Sequence, residues 1–433
     1  MLIQEGTMRA IGIDIGTTSI CGVVIDLQSG HVVQKCTKSS NAFLNGCAPW
    51  EKIQSVDTIM AIATQVLNSL IEDDVVTIGV TGQMHGIVYV DAEGNAISPL
   101  YTWQDVRGNL PYQGTTFAKY MKSYSGYGNV TDFYNTENGI RPSDAVSYCT
   151  IQDYFVMRLC DLKNPLIHAS DAASFGCYDL CENRFDYPCN VEVVADYSIA
   201  GEYRGIPVSV AIGDNQASVF STLKDENGIL LNVGTGSQVS ILSDVPIEAE
   251  NIETRPYFEG KYLVAGSALC GGRAYSLLKD FYSEILGYVH RTDDDQVYAI
   301  MSRMLKKEDR TSLIVDTRFA GTRSNANLCG SISGITTENF GPTQLTHGVL
   351  AGMVRELFEM YQKMNADRRG IAGSGNALRR NVALTAEFER VFGAKMRIPK
   401  HLEEAAFGAA LFASISCGIF QNAKEAQRLI QYC

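Results

Sequence analysis

Two segments far apart in the chain share one design. Asp14-Ile15-Gly16-Thr17-Thr18-Ser19 and Asn232-Val233-Gly234-Thr235-Gly236-Ser237 both read as apolar strand, polar residue, x-Gly-Thr, small residue, Ser, apolar strand. Each predicts a hairpin with a tight turn. One such segment arises easily by chance. Two, each in register with its flanking strands, point to a duplicated α/β lobe with a cleft between the copies. The length allows this, since 433 residues exceed one ordinary core and suit two domains of roughly 200 residues. The expected division is 1–222 and 223–433.

The remaining pattern fills in each half. Ala10–Asp14, Ile20–Asp26 and His31–Lys38 predict a strand meander, followed by a helix over Lys52–Ile71 with one apolar stripe. Strands are expected at Val75–Val80 and Ile87–Asp91, and a polar, aromatic insert over Arg107–Ser143. A helix over Asp144–Leu159 follows, then a strand over Val208–Ile212 and a helix over Gln216–Leu223. After Asp225–Gly228 the pattern restarts with strands Ile229–Val233, Gln238–Leu242 and Lys261–Val264. Helices are expected at Gly272–Leu286, Thr343–Met364, Ala377–Phe392 and Glu404–Ser416.

Composition narrows the class. Hydrophobic residues at 45% and charged residues at 19% describe a packed chain. A formal net charge of −12 argues against a nucleic-acid surface, which needs a basic face. A phosphorylated ligand stays open, because helix N-termini and backbone N–H groups bind phosphate without net positive charge. The opening MLIQEGTMRA lacks the basic region and apolar run of a secretory leader, and Met8 is an alternative start to Met1. Ala405 to Phe420 is small-residue rich and shorter than the ~20 residues that span a bilayer, so a packed helix and no membrane partner are expected. Twelve cysteines without a framework of spacings suit reduced thiols in a cytoplasmic protein. Cys177, Cys181 and Cys189, with His168 upstream, lack a CxxC. Free thiols in a surface loop are the plainer reading, a structural metal site the alternative.

Chemistry concentrates at the strand ends. In the first hairpin Gly16 lets the backbone approach an anion, while Thr17, Thr18 and Ser19 supply hydroxyl and N–H donors suited to a transferring phosphoryl group. Asp14 adds a carboxylate suited to hydrated Mg²⁺, or simply a turn-stabilising Asp. The second hairpin carries Asn232 instead, which avoids a second charge facing the same polyphosphate. Gly234, Thr235, Gly236 and Ser237 are therefore expected at the inner phosphates of a nucleotide. Gly373-Ser374-Gly375-Asn376 is a glycine-rich strand-to-helix turn that lets a ring or phosphate approach the backbone. Asp214, in GDNQ at a strand end, is placed to accept the proton of an attacking hydroxyl. Spacing alone favours the other role open to it, a helix N-cap. Gln83, Met84 and His85, with Trp103 and Asp105 soon after, suit a polyol held by hydrogen bonds and ring faces, or else a structural His and a core Trp.

Taken together, these residues resemble the FGGY carbohydrate kinases of the actin-like ATPase superfamily, in order along essentially the whole chain. IGIDIGTTS (Ile11 to Ser19) and LNVGTGSQ (Leu231 to Gln238) are similar to the family's two phosphate motifs. AGSGNALRRN (Ala372 to Asn381) is similar to its adenosine segment and EEAAFGAAL (Glu403 to Leu411) to its closing helix. Within the family, VTGQMHGIVY, TWQD, TIQDYFVMRLC, SDAASFG and IGDNQASVFS look most like sedoheptulokinases, and xylulose kinases share QMHG. The chain departs from the family in being shorter than many members and in reading GSG where many show GGG.

The resemblance implies two ribonuclease-H-like lobes, each a mixed sheet flanked by helices, and phosphoryl transfer from Mg-ATP to the primary hydroxyl of a ketose. It places the catalytic base on Asp214, the metal-associated carboxylate on Asp14 and sugar contacts on Met84 and His85. Gln83, Trp103, Asp105 and Asn215 are further substrate candidates. The implied partners are sugar and ATP, with a homodimer left open. Closure of the lobes is expected to keep water from competing as acceptor. A non-enzymatic actin-like ATP switch shares the hairpins but needs no sugar pocket, and a degenerate sensor would not need both Asp14 and Asp214.

Overall fold

Arg9–Ile15 (β1) and Ser19–Asp26 (β2) are buried at nearly every position, as strands covered on both faces are. They pair antiparallel from Arg9↔Asp26 to Ile15↔Ile20, so the Gly-Thr-Thr segment forms the turn. Val32–Ser39 (β3) alternates between partly buried and exposed residues and lies at the sheet edge. The computed structural model describes residues 8–46, 48–288, 293–306, 312–325, 327–368 and 370–433, and Met1 lies outside them.

The next helix is Val56–Asn68 (α1), shorter than the pattern predicts. Ile53–Gln54 pairs with Leu100–Tyr101 instead, and the Ser55 hydroxyl then caps the helix by accepting the Thr58 N–H. Val75–Gly82 (β4) runs parallel to β1 and sets Asp14 beside Thr81. The insert after Arg107 holds a helix, Gly128–Glu137 (α2), and a small core of its own around Phe117, Ala118 and Val130. Where one helix was expected over Asp144–Leu159, Ser147–Cys149 is a strand. Thr150 and Asp153 then close a capping box that starts Ile151–Leu159 (α3). Ala169–Ser174 (α4) precedes Ile199–Tyr203 (β5) and Ile206–Ser209 (β6). Ile212–Gly213 (β7) leads directly into Asp214–Thr222 (α5), so the single strand expected over Val208–Ile212 is two. The first sheet has seven strands in the order β5-β6-β4-β1-β2-β3, with β7 also on β4.

The second sheet repeats the plan. Ile229–Val233 (β8) and Ser237–Ser243 (β9) form the matching hairpin, followed by Ile252–Pro256 (β10) and Tyr262–Ala268 (β11). Helices Gly271–Gly287 (α6), Asp294–Leu305 (α7) and Pro342–Lys363 (α8) pack together, α7 being unforeseen from the pattern. Ile371–Ser374 (β12) runs parallel to β8. The helix expected over Ala377–Phe392 is two, Asn376–Arg380 (α9) and Val382–Phe392 (α10), divided at Asn381, whose side chain caps the second. Met396–Arg397 (β13) completes the order β10-β11-β9-β8-β12-β13. Both sheets thus centre on a strand paired antiparallel to its hairpin partner and parallel to a later strand, which is the duplicated mixed-sheet, ribonuclease-H-like lobe the sequence implied.

The chain forms two compact units, and the division is not a single cut near residue 222. The first comprises the chain up to Lys224 with Arg255–Lys261 and His401–Gln431, and the second takes the rest. The late segment His401–Gln431 contains Glu404–Ser416 (α11), whose residues Ala406–Ile415 are all buried. Glycines let it approach β1, β4 and α5. A Cβ on Gly12 would lie 1.8 Å from the Ala406 carbonyl oxygen, on Gly79 2.0 Å from that of Ala409, and on Gly408 1.9 Å from that of Ala217. Among the described residues no helix is long and apolar enough to cross a membrane.

Candidate active site

The ends of β1, β4 and β7 carry most of the first unit's chemistry. Asp214 is the first residue of α5; the cap position belongs to Gly213, and no side chain caps this helix. The N-cap reading of Asp214 is thereby corrected. Its carboxyl is raised from 3.8 to about 6, chiefly by burial, with the Arg255 guanidinium and the Asn215 N–H pulling the other way. Asn215 follows it in the first turn and is partly exposed. Met84 is buried with its thioether against Gly213, where a Cβ would lie 2.8 Å from the sulfur. His85 is partly exposed and held in the left-handed region at φ 74. Its ring stacks on Tyr127 at 4.2 Å.

Asp14, at the end of β1, has its carboxyl pushed up to about 8, first by burial and then by the carboxylates of Asp214 and Glu403. Glu403, just before α11, is itself paired with Lys35. Among the described residues no three His, Cys, Asp or Glu side chains converge as a ligand set. A single like-charged, desolvated carboxylate still fits Mg²⁺, which keeps most of its waters and takes phosphate oxygens alongside one or two carboxylates. Asp14 is the residue that would hold it.

The first hairpin is tied by side-chain hydrogen bonds to the segments that follow it. The Thr17 hydroxyl donates to Gln83 Oε1 at 3.2 Å and accepts the Trp103 indole N–H at 3.0 Å. Buried Gln83 in turn donates to Gln54, and Gln54 to the Thr17 carbonyl. Trp103 is 46% exposed, so it is not a core anchor. Thr17 therefore joins the Gly-Thr turn to Gln83 and Trp103, while Gly16, Thr18 and Ser19 remain at least partly exposed around it. Asp105 departs from expectation. It is wholly buried, and both its oxygens accept from the Arg107 guanidinium at 2.7 and 3.0 Å, with the Lys52 N–H on one of them. That carboxylate is committed to Arg107 and Lys52 and has little capacity left for a ligand.

In the second unit the two segments expected at a nucleotide come together. β8 and β12 lie side by side, and Asn232 donates to the Ser374 hydroxyl at 2.8 Å. Ser374 is buried in that bond, and Gly373 is buried against Met396. Gly375 sits at φ 91, where a Cβ would lie 2.4 Å from the Val233 carbonyl oxygen, and Asn376 opens α9. Gly234 and Thr235 are exposed and Gly236 partly so, while Ser237 is buried. The start of α6 clasps this turn. The Gly272 N–H donates to Gly234 O at 2.9 Å and the Arg273 N–H to Thr235 O at 3.1 Å. The sequence pattern gave no site role to Gly271, Gly272, Arg255, Glu403 or Lys35. The glycine pair in CGGR was a visible signal; the three charged residues had none, being distant in the chain from the residues they face.

The cysteine cluster stays apart from this chemistry. Cys177, Cys181 and Cys189 are free thiols, and His168 turns inward to Ser170 and Asp196.

Comparison with known proteins places this arrangement. Residues 9–195 match the N-terminal domain of the FGGY family of carbohydrate kinases, and residues 229–417 its C-terminal domain. The chain belongs to the FGGY family and is an ATP-dependent carbohydrate kinase. Mouse and human sedoheptulokinases are each 27% identical to it over 465 residues, covering 93% of this chain and 96% of theirs. The crystal structure of ligand-bound xylulose kinase from Lactobacillus acidophilus superposes with a TM-score of 0.82 at 18% identity, covering 98% of this chain and 93% of that one.

Proposed function

We propose that the protein phosphorylates the terminal primary hydroxyl of a ketose, sedoheptulose giving sedoheptulose 7-phosphate. The observation that carries this reading is Asp214: a carboxylate that caps no helix, raised to about 6, immediately after Gly213, against which Met84 packs. Asp214 orients the acceptor hydroxyl and takes its proton as the bond to phosphorus forms. Met84, His85, Gln83, Trp103 and Asn215 hold the sugar. Gly16–Ser19 in the first unit and Gly234–Ser237 in the second donate to phosphoryl oxygens, and the Gly373–Asn376 turn receives the adenosine. Mg²⁺, when bound near Asp14, neutralises charge on the phosphates. The sequence likeness to two sedoheptulokinases favours that sugar. Xylulose is the second candidate, supported by the shared QMHG and the xylulose kinase fold. Ketose-stimulated ADP release tests the reading, and a complete lack of response to any sugar would favour an ATP switch.

Two outcomes follow at the same residues. Because only ionised Asp214 can accept a proton, and its carboxyl is raised to about 6, kcat/KM should fall as pH drops through that value. A flat profile from pH 7 to 5 would contradict the assignment. Asp14→Ala should raise the Mg²⁺ concentration needed for half-maximal rate about tenfold, read from a rate titration. An unchanged titration curve would remove Asp14 from metal binding.

A further inference from the structure

Helix α4 touches the proposed site at both ends. At its start the Ser170 hydroxyl accepts the N–H of Gly213 at 3.0 Å, the residue immediately before Asp214. At its end the Ser174 hydroxyl accepts the N–H of His85 at 3.1 Å, and the Ser174 carbonyl accepts the His85 Nδ1–H at 2.8 Å. His85 has a left-handed backbone, which persists only where its surroundings over-determine it. Ser174 supplies that constraint.

The Ser170 hydroxyl already accepts from Gly213, and its proton points to His168 Nδ1 at 2.8 Å. The Ser170 backbone N–H, which can only donate, reaches the same nitrogen at 3.1 Å. Nδ1 is therefore an acceptor, and the ring proton sits on Nε2, which donates to Asp196 at 2.8 Å. Asp196 also accepts the Glu259 N–H at 2.7 Å. His168 and Ser170 are wholly buried, and the imidazole is wedged beside Phe258 and Phe412. The Ser–His–Asp order resembles a nucleophile triad, yet Ser170 is sealed from substrate and bonded to Gly213. Its geometry can fix a backbone; it cannot attack a carbonyl.

We propose that α4 is a brace for phosphoryl transfer, with Ser170 and His168 positioning Asp214 and Ser174 positioning His85. The inference rests on the reading of Asp214 as base and His85 as sugar contact, and it divides their effects between two hydroxyls of one helix. Ser170→Ala should lower kcat about tenfold and leave the sugar KM within about twofold. Ser174→Ala should raise the sugar KM about tenfold and leave kcat within about twofold. The KM for ATP should stay put in both.

His168 supplies a second, independent contrast. His168→Asn sets an amide oxygen near the Nδ1 position, and Asn is a favoured cap, so Ser170 keeps its acceptor. His168→Ala leaves a comparable void without that acceptor. The Asn variant should retain kcat within about threefold, and the Ala variant should match Ser170→Ala. Assays run below each variant's melting transition keep the folded fraction equal. The brace is overturned if Ser170→Ala and Ser174→Ala change kcat and KM alike, or if His168→Asn is no better than His168→Ala. Asp214→Asn in the same series separates the two ideas. Near-normal turnover there sinks the base reading, while an inactive Asp214→Asn with an unsplit Ser170/Ser174 pair sinks only the brace.

Discussion

Asp214→Asn is expected to reduce sugar phosphorylation by about 10²–10⁴-fold, the usual worth of a positioned general base. The substitution keeps the shape of the side chain and its place at the start of α5, so folding should survive it. The cap position lies on Gly213, and no capping bond is lost. Removing a carboxylate whose charged form burial disfavours should cost little stability, and the melting midpoint should move by no more than about 3 °C. Nucleotide affinity should be nearly unchanged, because the segments proposed to grip ATP belong to the second unit and to the first hairpin. Retention of near-normal kcat would remove Asp214 from the chemistry.

Gly408→Ala is expected to be severely damaging for so small a substitution in the first unit. Helix propensity argues the other way, since Ala outranks Gly in a helix interior by about 1 kcal/mol. Packing outweighs it. The new Cβ would lie 1.9 Å from the Ala217 carbonyl oxygen and 2.6 Å from its carbon, and a backbone group cannot swing aside as a flexible side chain does. Overpacking of this kind costs about 3 kcal/mol or more. That corresponds to a fall of about 6–12 °C in melting midpoint for a unit of this size. Ala217 belongs to α5, one turn after Asp214, so protein that still folds should also lose rate. Gly287→Ala, at the end of α6 in the second unit with no atom within 4 Å of the added carbon, is the clash-free control and should leave the midpoint unchanged or raise it by up to about 4 °C.

How much of this was legible in the chain depended on how local the cause was. The two hairpins were legible because strand, Gly-Thr turn and strand are contiguous, and α8 and α11 because long helical patterns average out local noise. Where tertiary pairing overrode periodicity, the pattern misled. Ile53–Gln54 fits an apolar helical stripe yet pairs with Leu100–Tyr101, and only Ser55 marks the true start. Thr150 and Asp153 did announce the start of α3, and the apolar run before them concealed it. Asp214 shows the same limit at the site. Its type and strand-end position were readable, but its release from capping depended on where β7 stops. Asp105 looked like a ligand until Arg107, two residues away, claimed both its oxygens. Arg255 and Glu403 bear on Asp214 and Asp14 from segments that rejoin the first unit late in the chain, which no local pattern could reveal.

The most direct measurement is kcat/KM for sedoheptulose beside xylulose, ribulose and fructose, followed as sugar-dependent ADP release with Mg-ATP. The expected result is strong stimulation by ketoses, with sedoheptulose at least tenfold above the others, about 1.4 kcal/mol of transition-state discrimination. ADP release that no ketose stimulates would contradict a ketose kinase altogether, and a clear preference for xylulose would overturn sedoheptulose as its substrate.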